Sequence, residues 1–402
     1  MRFRIAIVGH IRHPIAPPFM GGMEAFTHTL AGQLARRGHD VTLLASADSA
    51  VGLPGGVTLL PITDAHYDTR YPWHEFHGTD ILNDHLDVCY ARAARLLLDG
   101  GFDVIHNNAL HRFIPRLSRA QRLPMVTSLH IPPFKVLRRA LSDSAAPWHL
   151  SSVTSARQAE IWWPDGAPDT AHVVHNGIEL QRWPYHAQGD GSAIWAGRIT
   201  PTKGTALAAE AAQRAGVPLR ICGTIEHRDY FNDAVRPHLG GGVEYVGHLA
   251  AADLAQAYGQ ASVALFTPLW EEPFGLAAVE AMATGLPVAS TGQGAVREVL
   301  GNAGVIARSD TAADLAEALV QAADIPPTVP RSRVESYFSA ETMIDGFERL
   351  YARARAEQDV PLAEVFYPSH ALQVGRAGPG RTGTPVGGQG VMAAGYSTEP
   401  VS

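Results

Sequence analysis

The 402-residue chain has only two cysteines, Cys89 and Cys222. They lie far apart and outside any CxxC or metal-ligand spacing, which argues against a disulfide framework and points to two thiols in a reducing compartment, the cytoplasm. No window approaches the roughly 18 consecutive apolar residues that a membrane span requires, so a soluble protein is expected, with peripheral contact at a membrane surface left open. The basic and apolar start, Met1 to Gly9, is too short for a signal-peptide core and reads as a first strand. An excess of positive charge is also missing. With 32 Lys and Arg against 39 Asp and Glu, the net charge of -7 gives no electrostatic reason to expect a nucleic-acid partner. Neither a Walker-type phosphate loop nor a Gly-x-Ser-x-Gly elbow occurs, so kinase and hydrolase chemistries lose their main supports.

What is present is an alternation of short, β-branched apolar runs with amphipathic helical stretches. Runs at Ile5–Val8, Val41–Ala45, Val57–Leu60, Val104–His106, Met125–Leu129, Ser151–Thr154 and Val173–His175 read as strands of a parallel sheet covered on both faces. The rhythm breaks at Trp183-Pro184 and the polar run Gln188 to Ser192. It restarts at Ala193–Ala196, Leu219–Cys222, Val243–Val246, Val263–Phe266, Pro287–Ala289 and Val305–Ala307. The expected organisation is α/β, two Rossmann-like domains facing across a cleft. An N-terminal acceptor-side domain spans 1–185 and a donor domain 186–340. A helix over 341–358 is expected to return to the first domain, and residues 359–402, rich in Gly and Pro, to form a disordered tail. Ligands of open α/β sheets bind at the carboxyl ends of the strands, so the cleft is the expected site.

The most informative stretch runs from Trp270 to Val288. A strand ending at Phe266 leads through a Pro-containing loop into a helix beginning near Phe274 or Gly275. The free amides at Gly275 and Leu276, together with the helix dipole, suit a diphosphate. Glu272 precedes the helix and Glu280 lies about two turns along it, so the two carboxylates can reach different parts of one elongated ligand, each as an acceptor for a vicinal diol. Taken singly, each reads as a solvated glutamate. Arg198 and Lys203, in Ala196-Gly197-Arg198-Ile199-Thr200-Pro201-Thr202-Lys203-Gly204, follow the first strand of the second domain. Their positive charge at a helix start opposes the dipole preference, which weakens the reading of both as ordinary surface residues. Gly21-Gly22 precedes the first helix and would let backbone amides approach a phosphate, although a Gly-Gly pair alone reads as a loop. His130 ends a strand. His106, Asn107, Asn108 and His111 end another, on the expected acceptor side. His74-Glu75-Phe76-His77 lacks the zinc-protease spacing and reads as a loop without metal.

Taken together, Glu272 and Glu280 with seven residues between them, Pro-Phe-Gly after the first and Glu-Ala-Met-Ala-x-Gly-x-Pro-Val from the second resemble the signature of the family-4 glycosyltransferases, in the glycogen synthase and group 1 superfamily. The resemblance covers about residues 1 to 355. Within it, Trp195 to Glu298 looks similar to the subgroup that includes an avilamycin-pathway glycosyltransferase. The resemblance implies transfer of a sugar from a nucleotide diphosphate sugar, UDP ahead of GDP, with retention of configuration, no cofactor and no metal. It implies that Arg198 and Lys203 meet the diphosphate with Gly21, Gly22, Gly275 and Leu276. Glu272 would orient the donor sugar, Glu280 the ribose, and His130 would lie near the anomeric carbon. Phe274, His106 and Asn107 complete the expected substrate contacts. An epimerase or phosphorylase on the same fold, or a noncatalytic sugar-nucleotide-binding protein, remains an alternative at this point. The acceptor, whether small molecule, saccharide or lipid-linked, is not specified.

Overall fold

The computed structural model describes residues 2–360. The tail expected over 359–402 therefore falls, from residue 361 onward, outside the described residues. Two parallel sheets organise the chain. The first has seven strands: β1 Arg4–Val8, β2 Asp40–Ser46, β3 Val57–Thr63, β4 Val104–Asn107, β5 Met125–Leu129, β6 His149–Val153 and β7 Ala171–Val173. The second has six: β8 Ala193–Ala196, β9 Leu219–Cys222, β10 Val243–Gly247, β11 Val263–Phe266, β12 Val288–Ser290 and β13 Gly304–Ile306. Every apolar run read as a strand overlaps one. The largest differences are at β3, which runs three residues past Leu60, and at β6 and β7, which begin two residues earlier than their runs, β7 ending at Val173. There, His149 pairs with Met125 and Ala171 with Ser151, extending the ladders through residues that carry no strong strand signal.

The strand orders, β3-β2-β1-β4-β5-β6-β7 and β10-β9-β8-β11-β12-β13, reverse direction between β1 and β4 and between β8 and β11. Those two points are where a doubly wound sheet opens a crevice at its carboxyl edge. Strand β1 is central, and Ile5, Ala6, Ile7 and Val8 are fully buried, as a strand covered on both faces must be. In the second unit the helix Thr205–Ala215 presents Ala208, Ala209, Ala211 and Ala212, all fully buried, so its backbone lies close to the layer it covers.

The helix Ala340–Ala356 crosses back from the second sheet to the first. Its buried Met343, Ile344, Phe347, Leu350, Tyr351 and Ala354 share one core with Ile5, Ile7, Val104, Val126 and Leu150. The crossing is held by Ile178 N donating to Phe338 O at 2.9 Å and Ala340 N donating to Ile178 O at 2.9 Å. Gly177 is required beside it, because a β-carbon there would overlap the Ser339 carbonyl.

Candidate active site

The loop after β11 is built before its chemistry can be. Gly275 caps the helix Leu276–Ala283 at φ +97°, a left-handed value, and a β-carbon there would stand 2.9 Å from the Phe266 ring. Across the cleft, the hydroxyls of Thr154 and Ser155 donate to the Pro273 carbonyl at 2.9 and 2.8 Å, so the first domain holds the second domain's loop. Phe274 is a correction to the expected substrate contacts. Its ring is only 3% exposed and lies 5.4 Å from the Phe338 ring, inside the core, where it anchors the loop instead of lining the cleft.

Glu272 is buried, and its Oε2 accepts from Lys203 Nζ at 2.7 Å and from Trp270 Nε1 at 2.9 Å. The ammonium also stands 5.1 Å from the centre of the Trp270 ring, a cation–π distance. Lys203 is placed by its backbone. Thr267 Oγ1 donates to the Lys203 and Gly204 carbonyls at 2.9 and 3.0 Å while accepting from Trp195 Nε1 at 2.9 Å. Gly204 sits at φ +66°, where a β-carbon would overlap the Thr267 carbonyl. Arg198, at the end of β8, donates to Glu226 Oε2 at 2.5 Å. Each of these cations is therefore paired with a carboxylate at the carboxyl edge of the second sheet.

Glu280 differs from Glu272 in having no hydrogen-bonding partner among the described residues. Burial pushes its carboxyl up to about 7, against the pull of the Arg182 guanidinium. An unpartnered, desolvated carboxyl on the helix that Gly275 caps is poised to accept hydroxyl groups from a ligand.

From the first domain, Gly21 and Gly22 open the helix Gly22–Arg36, and a β-carbon on Gly22 would lie 3.2 Å from Leu276 Cδ1. The starts of two helices, one from each domain, thus come close at Gly22 and Leu276, and a helix start favours an anion. His130 follows β5 with its ring 4.2 Å from that of Phe26. Burial lowers it to about 4, so it is neutral at pH 7, and its Nε2 is buried with no partner.

His106 and Asn107 stand elsewhere than expected. Both are fully buried on β4. His106 Nδ1 lies 2.6 Å from the Tyr351 hydroxyl, and its Nε2 lies 3.1 Å from Asn108 Oδ1 and 2.9 Å from Ser128 Oγ. Asn107 Nδ2 donates to Thr127 Oγ1 at 3.2 Å, and its Oδ1 accepts from Ala109 N at 3.1 Å. His106 thus ties the sheet to the returning helix, while Asn107 is bonded to Thr127 on the neighbouring strand and to the backbone just after β4.

The sequence did not point to Glu226, to Trp270 as a donor, or to His74. Glu226 lies in an unremarkable run after β9, and its link to Arg198 spans 28 residues. The segment expected as a loop at His74 forms the short helix Trp73–Phe76, and His74 Nε2 lies 3.5 Å from Glu226 Oε1, a contact between the two halves of the chain.

Two family models match the chain: Glycosyltransferase Family 4 over residues 20–182 and Glycosyl transferases group 1 over residues 191–324. The chain belongs to the family-4 glycosyltransferases. Among curated proteins it is similar to the glycogen synthase of Mycobacterium tuberculosis, 26% identical over 89% of this chain and 97% of that protein. The phosphatidyl-myo-inositol mannosyltransferase of Mycobacterium leprae is 28% identical over 75% and 83%. Two solved structures share the fold. AviGT4, a glycosyltransferase involved in avilamycin A biosynthesis, matches with TM-score 0.65 at 20% identity over 88% of this chain and 98% of its own. Anabaena HepE in complex with UDP and glucose matches with TM-score 0.66 at 17% identity over 87% and 100%. The chain is thus a glycosyltransferase with two parallel-sheet, Rossmann-like units of the GT-B type.

Proposed function

We propose that this glycosyltransferase transfers a sugar from a nucleotide diphosphate sugar, UDP ahead of GDP, to a hydroxyl acceptor with retention of configuration and without a metal ion. One observation carries the reading. Arg198 and Lys203, both held by carboxylates, stand at the edge of the sheet whose Leu276–Ala283 helix start meets Gly22 of the other domain. A diphosphate gains negative charge as the bond to the sugar stretches, and fixed cations and amides stabilise that charge more in the transition state than in the ground state. The anomeric carbon–phosphate oxygen bond breaks, the bond to the acceptor oxygen forms on the same face, and the acceptor proton passes to the departing phosphate oxygen. Glu272 orients the donor sugar, His130 meets one of its hydroxyls and Glu280 holds the ribose. The choice of UDP takes support from HepE, which shares the fold and is complexed with UDP and glucose.

A thermal-shift screen of UDP, GDP and their sugars tests the donor, since a ligand of the folded state raises its melting temperature. UDP-sugars are expected to give the largest shift. NMR of the product should give the same anomeric configuration as the donor, and chelation with EDTA should leave the rate unchanged. Inverted product would overturn the retaining mechanism, and a rate abolished by EDTA and restored by a divalent ion would overturn metal independence.

A further inference from the structure

Arg198 and Glu226 stand on two loops whose backbones are joined to one another. The ladder between β8 and β9 continues past the ends of the strands: Gly197 N donates to Cys222 O at 3.0 Å, Ile199 N to Thr224 O at 2.8 Å and His227 N to Ile199 O at 3.3 Å. These bonds flank Arg198 on one loop and Glu226 on the other, so both ends of the ion pair start from a fixed backbone. Gly223 permits the approach, because a β-carbon there would overlap the Gly197 carbonyl.

From this frame Arg198 Nη1 donates to Glu226 Oε2 at 2.5 Å, with the two side chains 21% and 18% exposed. Nε and Nη2 of the same guanidinium have no hydrogen-bonding partner among the described residues. A guanidinium is a flat fork of five N–H donors, so fixing one nitrogen sets the plane and aims the donors that remain. The other oxygen, Oε1, faces the first domain. It lies 3.5 Å from His74 Nε2, and the His74 ring stands 5.6 Å from that of His227, nearly perpendicular to it. His74 is itself on a held segment. The preceding Trp73 donates its backbone N–H to Asp68 Oδ1 at 3.0 Å, and the Arg12 guanidinium, which binds that same oxygen, lies 5.2 Å from the centre of the Trp73 ring. One carboxylate thus spans the two halves of the chain, holding a cation of the second domain with one oxygen and meeting the first domain with its other.

We propose that Glu226 is a positioning residue: it orients Arg198 toward the departing diphosphate, and its contact with His74 ties that orientation to closure of the first domain over the second. This rests on the donor reading above, which gives Arg198 its task. Glu226 acts through Arg198 and takes no part in the transfer itself. A counter-ion that only neutralised Arg198 until a phosphate displaced it would behave in the opposite way, because its removal would free the cation and tighten the binding of an anion.

UDP affinity, measured by calorimetry on the full chain, tests this without an acceptor. Glu226→Gln and Glu226→Asp, the second of which keeps the charge and withdraws it by one methylene, should each bind UDP about fivefold or more weakly, within the range of coupling between residues in contact. Arg198→Ala should also weaken UDP, and adding Glu226→Asp to it should cost nothing more, since an orienting group has no effect once the group it orients is gone. His74→Ala should weaken UDP about twofold, the scale of a half-exposed ion pair, and should have no effect in Glu226→Gln. Thermal melting reports whether each variant is folded. Folded Glu226 variants that bind UDP as well as wild type or better overturn the proposal, and so does a Glu226→Asp loss that persists in full beside Arg198→Ala. Undiminished binding by His74→Ala overturns the tie to the first domain. Wild type that fails to bind UDP, or Arg198→Ala that binds it undiminished, overturns the donor reading instead, so the two failures are told apart.

Discussion

Lys203 Nζ lies 2.7 Å from Glu272 Oε2, and the same oxygen accepts from Trp270 Nε1 at 2.9 Å. In the absence of ligand, the cation assigned to the diphosphate and the carboxylate assigned to the sugar neutralise one another, so neither is left as a bare charge. On the proposed reading, a bound donor would give each a second partner, phosphate oxygen for the ammonium and a sugar hydroxyl for the carboxylate. Lys203→Ala should lower turnover by roughly two orders of magnitude, the scale of other preorganised charge stabilisers, measured as kcat at saturating donor. Turnover equal to wild type would remove Lys203 from the reaction.

Glu280 predicts a dependence on pH. Its folded value is raised to about 7 by burial, well above that of an unfolded glutamate, so the folded state holds this proton more tightly than the unfolded one does. The sign follows: its destabilising contribution is absent below about pH 4.5, grows as pH rises and is complete above the folded value. Glu280→Gln should therefore melt higher than wild type at pH 8, with the gap closing toward pH 4.5. The same substitution should weaken UDP, and wild-type affinity for UDP should fall from pH 8 to pH 6 because the diol acceptor becomes protonated. A Glu280→Gln protein with unchanged UDP affinity in calorimetry would argue against the ribose contact.

Gly275 and Gly22, at the starts of their two helices, should respond differently to alanine. Gly275 sits at φ +97° with the Phe266 ring 2.9 Å from where a β-carbon would go, so Gly275→Ala should lose about 1–3 kcal/mol of stability, read by denaturant unfolding. Gly22 is not left-handed, and its nearest obstacle is the flexible end of Leu276 at 3.2 Å, so Gly22→Ala should keep its melting temperature. Both variants should bind UDP more weakly if the two sets of amides converge on one diphosphate. Unweakened binding in Gly22→Ala would take the first-domain helix start out of the donor site.

What the sequence made legible was local. The parallel sheets were readable because each strand is a short, apolar, β-branched run, and the second-domain motif because Glu272, Gly275 and Glu280 lie within nine consecutive residues on one loop and helix. Pairings between distant segments were not readable. Nothing in the string joins Arg198 to Glu226, or places Glu24 against His10 with one oxygen unfilled. His106 and Asn107 show the same limit from the other side. The end of a strand was identified, but which face a returning helix 245 residues away would cover depends on tertiary packing.

That packing makes its own prediction. The Tyr351 hydroxyl lies 2.6 Å from His106 Nδ1, and burial lowers the His106 ring to about 3, so the imidazole is neutral and this buried hydrogen bond is what satisfies its Nδ1. Tyr351→Phe keeps the ring contacts with Phe347 and removes only that hydroxyl. The expected cost is about 1–3 kcal/mol of stability, with donor affinity and turnover unchanged at a temperature where both proteins are folded. A variant of normal stability with impaired turnover would return His106 to the substrate side of the cleft, because the effect would then have to pass through a ligand contact and not through the core.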